Sequence, residues 1–427
     1  MHLSQSGAYY NRVCSAFRLI LSGTGIGNAC GKQEEGVCRR RGRGKYYGET
    51  LVVKILTVVT ELGPGGAEKI VRELSEHLLR KGHKVSLVSL KAPPENRTLA
   101  DSFPAMGISP AYLNMRGLTD AGKIFSLRRI IRRERPDLIH SHLMHPNLLT
   151  RIAAAGLSVP LVNTVHICER RKSARPFFLL DRLTFPLCSV CTAVSHSAAG
   201  FHEHALGLNP GTLRVIYNGV DPVAPLPEEE RVRYRELWGM KQCSRIIGSF
   251  GRLDPQKGFD NFLRLLPEIS ERIPEGETWG VVILGEGKER EFLEEAGRNL
   301  PGNLRLSFPG FSPEAARAAW VFDVFVMPSR YEGYGLAFAE AMSTGVPAVV
   351  ASVDSLPELA DLYDNAFVAD FASPEKRGET ASLIAAAAGK KRIAPKIILT
   401  RAEMADQYLE LYRRILARQH TYLQKNK

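Results

Sequence analysis

The strongest chemical signal in the sequence is a pair of carboxylates, Glu332 and Glu340, separated by seven residues. They follow an apolar run that is typical of a buried strand. Between them, Gly333 and Gly335 allow close approach of the backbone to a ligand. Leu336 begins a predicted helix whose first amide groups could bind an anion. If the whole span were helical, the two carboxylates would lie about 12 Å apart along the axis, which is the scale of a sugar nucleotide from hexose to ribose. One carboxylate could therefore hold sugar hydroxyl groups and the other the ribose.

A second signal lies at residues 249–258, where another predicted strand ends. Gly251 allows the chain to turn, and Arg252 and Lys257 place two cations where negative charge on a leaving diphosphate would need stabilising. Two cations can supply the charge that a metal ion provides elsewhere. The chain contains no Asp-x-Asp sequence, so we expect no bound metal.

Two weaker signals lie in the N-terminal half. Gly65 and Gly66 belong to a glycine-rich turn between the first predicted strand and helix, a position that can contact phosphates or an acceptor. His140 and His142 form a His-Ser-His run, but no third ligand follows at a suitable spacing. We therefore predict structural or supporting roles for these histidines rather than a metal site.

The elements around these residues alternate between strand-like and helix-like patterns from residue 51 onward, which predicts the α/β class with two doubly wound parallel sheets. The expected strands are 51–59, 85–90, 137–140, 160–166, 190–193 and 213–216, then 246–250, 280–284, 304–307, 324–327 and 348–351. The expected helices include 67–80, 122–134, 336–344 and 401–417.

The pattern also predicts the domain boundaries. Residues 51–220 form an acceptor-side Rossmann-like domain, 221–400 a nucleotide-sugar-binding Rossmann-like domain, and 401–417 a helix that packs back on the first domain. Residues 1–50 are predicted to be a disordered basic extension. Because ligands of such folds bind at the carboxyl ends of the strands, we expect the active site in a cleft where the two domains face each other.

The net charge of +12 is concentrated in the N-terminal part. Residues 1–50 carry 8 Lys and Arg against 3 Asp and Glu, residues 51–220 carry 22 against 12, and residues 221–427 carry 27 against 30. A uniformly basic nucleic-acid binder would not show this asymmetry. It favours a domain that meets an anionic membrane or an acidic substrate.

One predicted helix, 122–134, could make that membrane contact. Its residues Ile124, Leu127 and Ile131 share one face beside several arginines, which is typical of a basic amphipathic helix, although the same face could instead pack on the sheet. No run approaches the ~18 apolar residues of a membrane-spanning helix, so the contact would be peripheral. We expect a cytoplasmic protein at the inner face of the cytoplasmic membrane.

These elements, in this order, resemble the family 4 retaining glycosyltransferases of the GT-B fold over nearly all of residues 51–417. The resemblance implies that Arg252 and Lys257 bind the donor diphosphate, and that Glu332 and Glu340 contact the donor sugar and the ribose. It also implies a donor-sugar role for His166, which stands in a Thr-x-His context. The implied donor-binding set also includes Gly251, Gly333, Gly335 and Leu336.

Two further segments bear on the resemblance, one that matches the family pattern and one that departs from it. The Asn-Gly-Val-Asp run at 218–221 looks like the family's interdomain hinge. Many members have a Gly-Gly pair before Pro-Glu after a late sheet strand, whereas this chain has Asp354 and Ser355 followed by Leu356 before Pro357 and Glu358. This departure affects the details of the donor site.

The resemblance implies transfer of a hexose-type sugar from a UDP- or GDP-sugar to a hydroxyl of a lipid-linked or saccharide acceptor, as in cell-envelope polysaccharide or lipopolysaccharide synthesis, without a cofactor. A glycoside hydrolase or phosphorylase would also use paired carboxylates, but a hydrolase needs no diphosphate cradle. A nucleotide-sugar epimerase of the same fold and a non-catalytic nucleotide-binding module remain open alternatives.

Overall fold

The computed structural model describes residues 46–47, 50–117, 120, 122–170 and 175–425. The chain divides into two compact units. The first comprises the residues up to Ala193 with His202–Arg214 and Ala405–Lys427, and the second comprises Val194–Phe201 and Val215–Met404. The predicted extension, 1–50, lies outside the described residues except for a two-stranded antiparallel pair that includes Tyr46–Tyr47 and Thr50–Leu51.

The first unit is built on a seven-stranded sheet whose central strands are almost fully buried. From one edge to the other the strands are Ala111–Tyr112, Lys84–Ser89, Lys54–Val59, Leu138–His142, Leu161–Val165, Val190–Ala193 and Arg214–Val215. The first six pair in parallel. The helices are Gly66–Arg80, Ser102–Ala105, Gly122–Glu134, Met144–Ala154 and Arg175–Thr184, and the helix His196–Leu206 begins in the second unit and ends in the first.

The last helix, Arg401–Lys425, supplies buried aromatic residues to the first unit. Tyr408 and Tyr412 are almost completely buried, and the Tyr412 hydroxyl lies 2.6 Å from Nδ1 of His140. Asp406 lies 2.9 Å from His77 on the first helix. The helix is longer than the predicted 401–417.

The second unit contains a six-stranded parallel sheet. From edge to edge its strands are Leu304–Gly310, Trp279–Leu284, Arg245–Phe250, Val324–Met327, Ala348–Ala351 and Ala366–Ala369. Its helices are Glu228–Leu237, Phe259–Leu263, Leu266–Ser270, Arg290–Ala296, Ala315–Ala318, Leu336–Met342, Ser355–Ala360 and Arg377–Ala388. Both units are doubly wound α/β folds of the Rossmann type, as the sequence predicted.

Within the two large sheets, the sequence missed two strands, Ala111–Tyr112 and Ala366–Ala369. Both lie at sheet edges and are incompletely buried, so neither shows the apolar run of a central strand. The predicted helix 336–344 ends at Met342, because the chain turns there and reaches a positive φ of 72° at Gly345.

The prediction that the apolar face of the Gly122–Glu134 helix contacts a membrane was wrong. Ile124, Leu127 and Ile131 are 8%, 1% and 2% exposed and belong to the core of the first unit. The helix needs this face to bury itself against the sheet. Its exposed surface instead carries arginines and Phe125, which is 62% exposed.

Candidate active site

The two motif loops of the second unit leave from neighbouring strands. Arg245–Phe250 pairs with Trp279–Leu284 on one side and with Val324–Met327 on the other, so the strand order reverses between the two strands that carry the motifs. A reversal of this kind opens a crevice at the carboxyl ends of the strands, where ligands bind in this type of sheet. The loops at 251–258 and 328–335 both begin at this crevice.

An ion pair joins the two loops. Nζ of Lys257 contacts Oε1 of Glu332, and the side chains are 15% and 8% exposed. The hydroxyl of Ser329 donates a second hydrogen bond to the same carboxylate oxygen, at 2.9 Å. The structure therefore brings together a predicted diphosphate cation and a predicted sugar-binding carboxylate from positions 75 residues apart.

Further contacts hold the loops against each other. Arg330 makes a bidentate pair with Asp260, with both N–O distances 2.7 Å, and its backbone amide donates to the carbonyl of Gln256 at 2.7 Å. Gly258 has φ 65°, and a Cβ there would overlap with the carbonyl oxygen of Pro328. Only glycine permits this approach, which explains the glycine that follows the motif lysine.

The turn that begins the two-carboxylate motif is fixed from two sides. The amide of Glu332 donates to Oδ2 of Asp354 at 2.9 Å, and the hydroxyl of Ser195 donates to the carbonyl of Gly333 at 2.6 Å. Gly335 has φ 86°, and a Cβ there would crowd Leu356. Asp354 itself has φ 46° and ψ −118°, a strained conformation for a residue other than glycine. The residue that departs from the family pattern thus contacts the motif directly.

The other predicted donor residues of the second unit lie on these two loops or on the helix that follows the second loop. Gly251 packs on the stem of Lys257, and a Cβ at Gly285 would overlap with the carbonyl of Gly251. Arg252 is 58% exposed at its side chain and lies 3.4 Å from Asp254. Leu336 is the first residue of the helix Leu336–Met342, in which Glu340 is 9% exposed. Arg252 is therefore available for a ligand, whereas Lys257 is already engaged by Glu332.

The glycine-rich loop of the first unit lies at the equivalent switch in strand order, between Lys54–Val59 and Leu138–His142. Gly66 begins the first helix and Gly65 is extended before it. A Cβ at Gly65 would overlap with the carboxylate of Glu68, which folds over the loop. A carboxylate at a helix N-terminus interacts favourably with the helix dipole and repels an anionic ligand. The loop is therefore better suited to a hydroxyl-bearing ligand than to a phosphate.

Three histidines meet at the carboxyl ends of two central strands of the first unit. His140 and His142 lie on Leu138–His142, and His166 follows Leu161–Val165. Nδ1 of His142 lies 3.0 Å from Nε2 of His166, and the rings of His140 and His142 are 3.9 Å apart between centroids. Burial lowers the pKa of His140 and His166 to about 3, and burial together with the neighbouring histidines lowers the pKa of His142 well below its usual value. All three are neutral at physiological pH.

Several supporting residues were missed by the sequence reasoning. Ser329 and Ser195 contact the Glu332 turn but stand in no motif that spacing alone would reveal, and Asp354 was noted only as a departure from the family pattern. Glu358 accepts hydrogen bonds from the amides of His196 and Ser197, at 2.9 and 3.0 Å, and so caps the helix His196–Leu206. The Pro-Glu run around Glu358 was the available signal for this residue.

Across the described part of the chain, no group of three or more His, Cys, Asp or Glu side chains is arranged to hold a metal ion. None of the described helices is long and apolar enough to cross a bilayer.

The sequence matches two family models that together span both units. Residues 64–223 match Glycosyltransferase Family 4, and residues 231–385 match Glycosyl transferases group 1. The chain belongs to the group 1 glycosyltransferase family. This confirms the family resemblance, and the motif loops of the second unit lie within the group 1 match.

Curated relatives of this glycosyltransferase extend over most of the chain. An uncharacterized glycosyltransferase of Methanocaldococcus jannaschii is 28% identical over 330 residues, covering 72% of this chain and 82% of the relative. An Escherichia coli enzyme, named UDP-Gal:alpha-D-GlcNAc-diphosphoundecaprenol alpha-1,3-galactosyltransferase, is 28% identical over 303 residues, covering 68% and 76%.

Solved structures confirm the GT-B fold class. HepE of Anabaena, crystallised with UDP and glucose, aligns with a TM-score of 0.66 at 18% identity and covers 88% of this chain and 99% of HepE. Sucrose-phosphate synthase of Thermosynechococcus elongatus aligns with a TM-score of 0.66 at 15% identity and covers 85% and 99%.

Proposed function

We propose that this glycosyltransferase moves a hexose-type sugar from a nucleoside diphosphate donor to a hydroxyl of a lipid-linked or saccharide acceptor, with retention of configuration and without a divalent metal. The observation that carries the proposal is the Lys257–Glu332 pair at the switch point of the second sheet, with Arg252 exposed on the same loop as Lys257. A cation and a carboxylate held in one crevice suit a ligand that is anionic at one end and hydroxyl-rich at the other.

The proposed reaction uses these groups as follows. The bond between the sugar C1 and the diphosphate breaks, and the diphosphate leaves with the electron pair. Arg252 and Lys257 stabilise the charge that develops on it. The acceptor oxygen bonds to C1 on the face that the diphosphate left, and its proton passes to the leaving group. Lys257 has three N–H donors, so it can contact a phosphate while it remains paired with Glu332.

The remaining predicted residues take supporting parts in the proposal. Glu332 and His166 contact hydroxyl groups of the donor sugar, and Glu340 contacts the ribose. Gly251, Gly333 and Gly335 let the backbone approach the donor. Two observations on related proteins favour a UDP-sugar: HepE was crystallised with UDP and with UDP-glucose, and the E. coli relative is named for UDP-Gal.

A second part of the proposal concerns the acceptor. The name of the E. coli relative specifies alpha-D-GlcNAc-diphosphoundecaprenol, a lipid-linked saccharide, as the partner of UDP-Gal. In the first unit, Leu179, Leu183 and Leu187 are 47%, 60% and 49% exposed at spacings of four residues, along the helix Arg175–Thr184 and the turn after it. With the basic charge of this unit, they would suit peripheral contact with anionic lipid. We place the enzyme at the inner face of the cytoplasmic membrane, in envelope glycan synthesis.

The donor and the reaction class can be tested together. A thermal-shift screen of UDP- and GDP-sugars identifies donors that stabilise the protein. The best donor is then incubated alone and with acceptors, and the anomeric configuration of any product is read by NMR. Conversion of the donor to an epimer without acceptor would establish the epimerase instead. Binding without turnover would leave a nucleotide-binding module, and an inverted product would contradict retention.

Metal independence is tested in the same assay. We expect equal rates in EDTA and in added Mg²⁺ or Mn²⁺, because Arg252 and Lys257 supply the positive charge at the diphosphate. Activity that is lost in EDTA and restored by either ion would contradict this part of the proposal.

The membrane contact is tested by sedimentation with liposomes. We expect binding to anionic but not neutral vesicles, weakened near 1 M salt where the Debye length falls to about 3 Å. The double variant Leu179→Ser, Leu183→Ser should bind less. A matched control is Leu237→Ser, a 69%-exposed leucine of the second unit. Equal binding to both vesicle types, or an equal loss in the control, would contradict the assignment.

A further inference from the structure

We infer that His142 is a positioning residue for His166: its Nδ1–H group donates to Nε2 of His166 and thereby fixes the proton of His166 on Nδ1. The catalytic consequence of this arrangement rests on the proposed role of His166 at the donor sugar. The arrangement itself rests on the geometry of the first unit alone.

The strands bring the two rings together. His142 is the last residue of Leu138–His142, and it pairs in register with Thr164 on the neighbouring strand, two residues before His166. His142 is 0% exposed, whereas His166 is partly exposed. The 3.0 Å contact between Nδ1 of His142 and Nε2 of His166 leaves Nδ1 of His166 without a hydrogen bond to any residue that the structure describes.

His140, stacked against His142, is fully occupied by other partners. Thr192 donates to the carbonyl of Asn163 at 3.2 Å, so Thr164 donates to Thr192 at 2.7 Å. Thr164 must then accept from Nε2–H of His140 at 2.7 Å, and the hydroxyl of Tyr412 donates to Nδ1 of His140 at 2.6 Å. His140 therefore carries its proton on Nε2 and has no nitrogen free for His142.

Two arrangements of the proton between His142 and His166 are then conceivable. Because burial keeps both rings neutral, one must donate and the other accept. If His166 donated from Nε2, His142 would carry its proton on its own Nε2, which has no hydrogen-bond partner among the described residues. That would bury an unpaired N–H group, at a cost of about 1–3 kcal/mol.

The opposite arrangement avoids the unpaired donor. If His142 donates from Nδ1, its Nε2 is left as an unpaired acceptor, and buried acceptors without a partner are more common in proteins than buried N–H groups without one. His166 then carries its proton on Nδ1 and offers a neutral N–H donor at the free nitrogen. Such a donor suits a hydroxyl oxygen of a sugar and places no positive charge next to it.

The proton positions can be measured directly. In the full chain labelled with ¹⁵N-histidine, long-range proton–nitrogen correlation spectra distinguish the two tautomers, and the variants His142→Asn and His166→Asn assign the signals. We expect a protonated Nδ1 on His142 and His166, and a protonated Nε2 on His140 as an internal contrast. A protonated Nε2 on His166, or an imidazolium signal from either ring at pH 7, would overturn the inference.

Kinetics test the consequence with the donor found by the screen. Asparagine can place an N–H close to the Nδ1 position, whereas leucine keeps bulk without a donor. We expect His142→Leu to lower kcat by about 10²-fold, the scale of a misplaced catalytic group, and His142→Asn to recover most of that loss. The control His83→Asn removes a different buried histidine of the same unit and should leave kcat unchanged.

Equal losses in the leucine and asparagine variants, or a wild-type rate in the leucine variant, would overturn the positioning role. The proposed function and the role of His142 can fail separately. If the wild-type enzyme turns over no donor, the proposed function fails while the NMR tautomers still decide the arrangement. If His166 proves to be protonated on Nε2 in an active enzyme, only the role of His142 fails.

Discussion

The two units share the strand order of the Rossmann fold around their switch points but fill those points with different chemistry. In the second unit, loops at the strand ends carry a charged pair, Lys257 and Glu332, which is largely buried and satisfied internally. In the first unit, the strands themselves carry His140 and His142, which burial keeps neutral. The comparison shows that one scaffold can present either paired charges or uncharged hydrogen-bonding groups at the same topological position.

The difference has a physical cause. A carboxylate can stay ionised in a crevice only when a cation and hydrogen bonds compensate its desolvation. Lys257 and Ser329 do this for Glu332. Among the described residues, the hydrogen bonds of the three histidines go to hydroxyl groups and to each other, not to a carboxylate, so burial favours the neutral form of each ring. In the proposed function, the charged crevice handles the diphosphate and the neutral cluster handles hydroxyl groups.

The largest effect is expected at the ion pair. Lys257→Ala should lower kcat/KM by about 10²–10³-fold, the usual cost of removing a group that stabilises transition-state charge. It should also destabilise the protein by about 3 kcal/mol, because it leaves Glu332 buried without its cation. Steady-state kinetics and urea unfolding measure the two effects.

The double variant Lys257→Ala, Glu332→Gln separates the effect on activity from the effect on stability. Stability should partly return, because no buried charge remains, while activity should not. The matched control Lys241→Ala removes a 72%-exposed lysine that pairs with Glu236, and it should change neither quantity. A wild-type rate in Lys257→Ala would show that the crevice does not bind the diphosphate.

The second effect concerns Arg252, the exposed cation of the same crevice. Arg252→Ala should lower kcat by about 10²-fold. It should change the free energy of unfolding by less than about 0.5 kcal/mol, because the side chain is 58% exposed and its pairing with Asp254 is screened by water. Wild-type rates for this variant would contradict its role at the leaving group.

The third effect is a pH dependence of stability to which the neutral histidines contribute. The folded-state pKa of His140 is about 3, below the ordinary value of 6.5, so the unfolded chain takes up a proton between these values and the folded chain does not. The contribution of His140 to the free energy of unfolding is therefore complete above about pH 6.5 and falls by about 1.4 kcal/mol per pH unit as the pH drops towards 3, and His166 behaves in the same way.

All three tryptophans, Trp238, Trp279 and Trp320, lie in the second unit. Below pH 6.5, hydrogen exchange in the strands Leu138–His142 and Leu161–Val165, corrected for its intrinsic pH dependence, should accelerate before the tryptophan fluorescence changes. His140→Gln removes one titrating group and should make the pH dependence shallower. An unchanged slope in this variant would contradict the assignment.

The smallest effect is expected at Glu340. Loss of one charged hydrogen bond to a non-reacting part of the donor should raise the donor KM about tenfold in Glu340→Gln, with little change in kcat. A fall in kcat with an unchanged KM would show that Glu340 acts on the reacting sugar instead. Initial rates over a range of donor concentrations decide between these outcomes.

The sequence by itself predicted the class of fold and the family, because both depend on local patterns. Buried parallel strands appear as continuous apolar runs, and amphipathic segments between them appear as helices. The helix Gly122–Glu134 was predicted to the residue. The carboxylate and cation motifs could be found because their members lie within ten residues of each other along the chain.

Only the tertiary structure decided which of these residues meet. Lys257 and Glu332 are 75 residues apart, and His142 and His166 are 24 apart; both contacts depend on which strands are neighbours in a sheet. The apolar face of Ile124, Leu127 and Ile131 suited a membrane or a core equally well until the sheet beside it was known. Periodicity fixes the face of a helix but not its partner, because strand order and packing arise from contacts between distant parts of the chain.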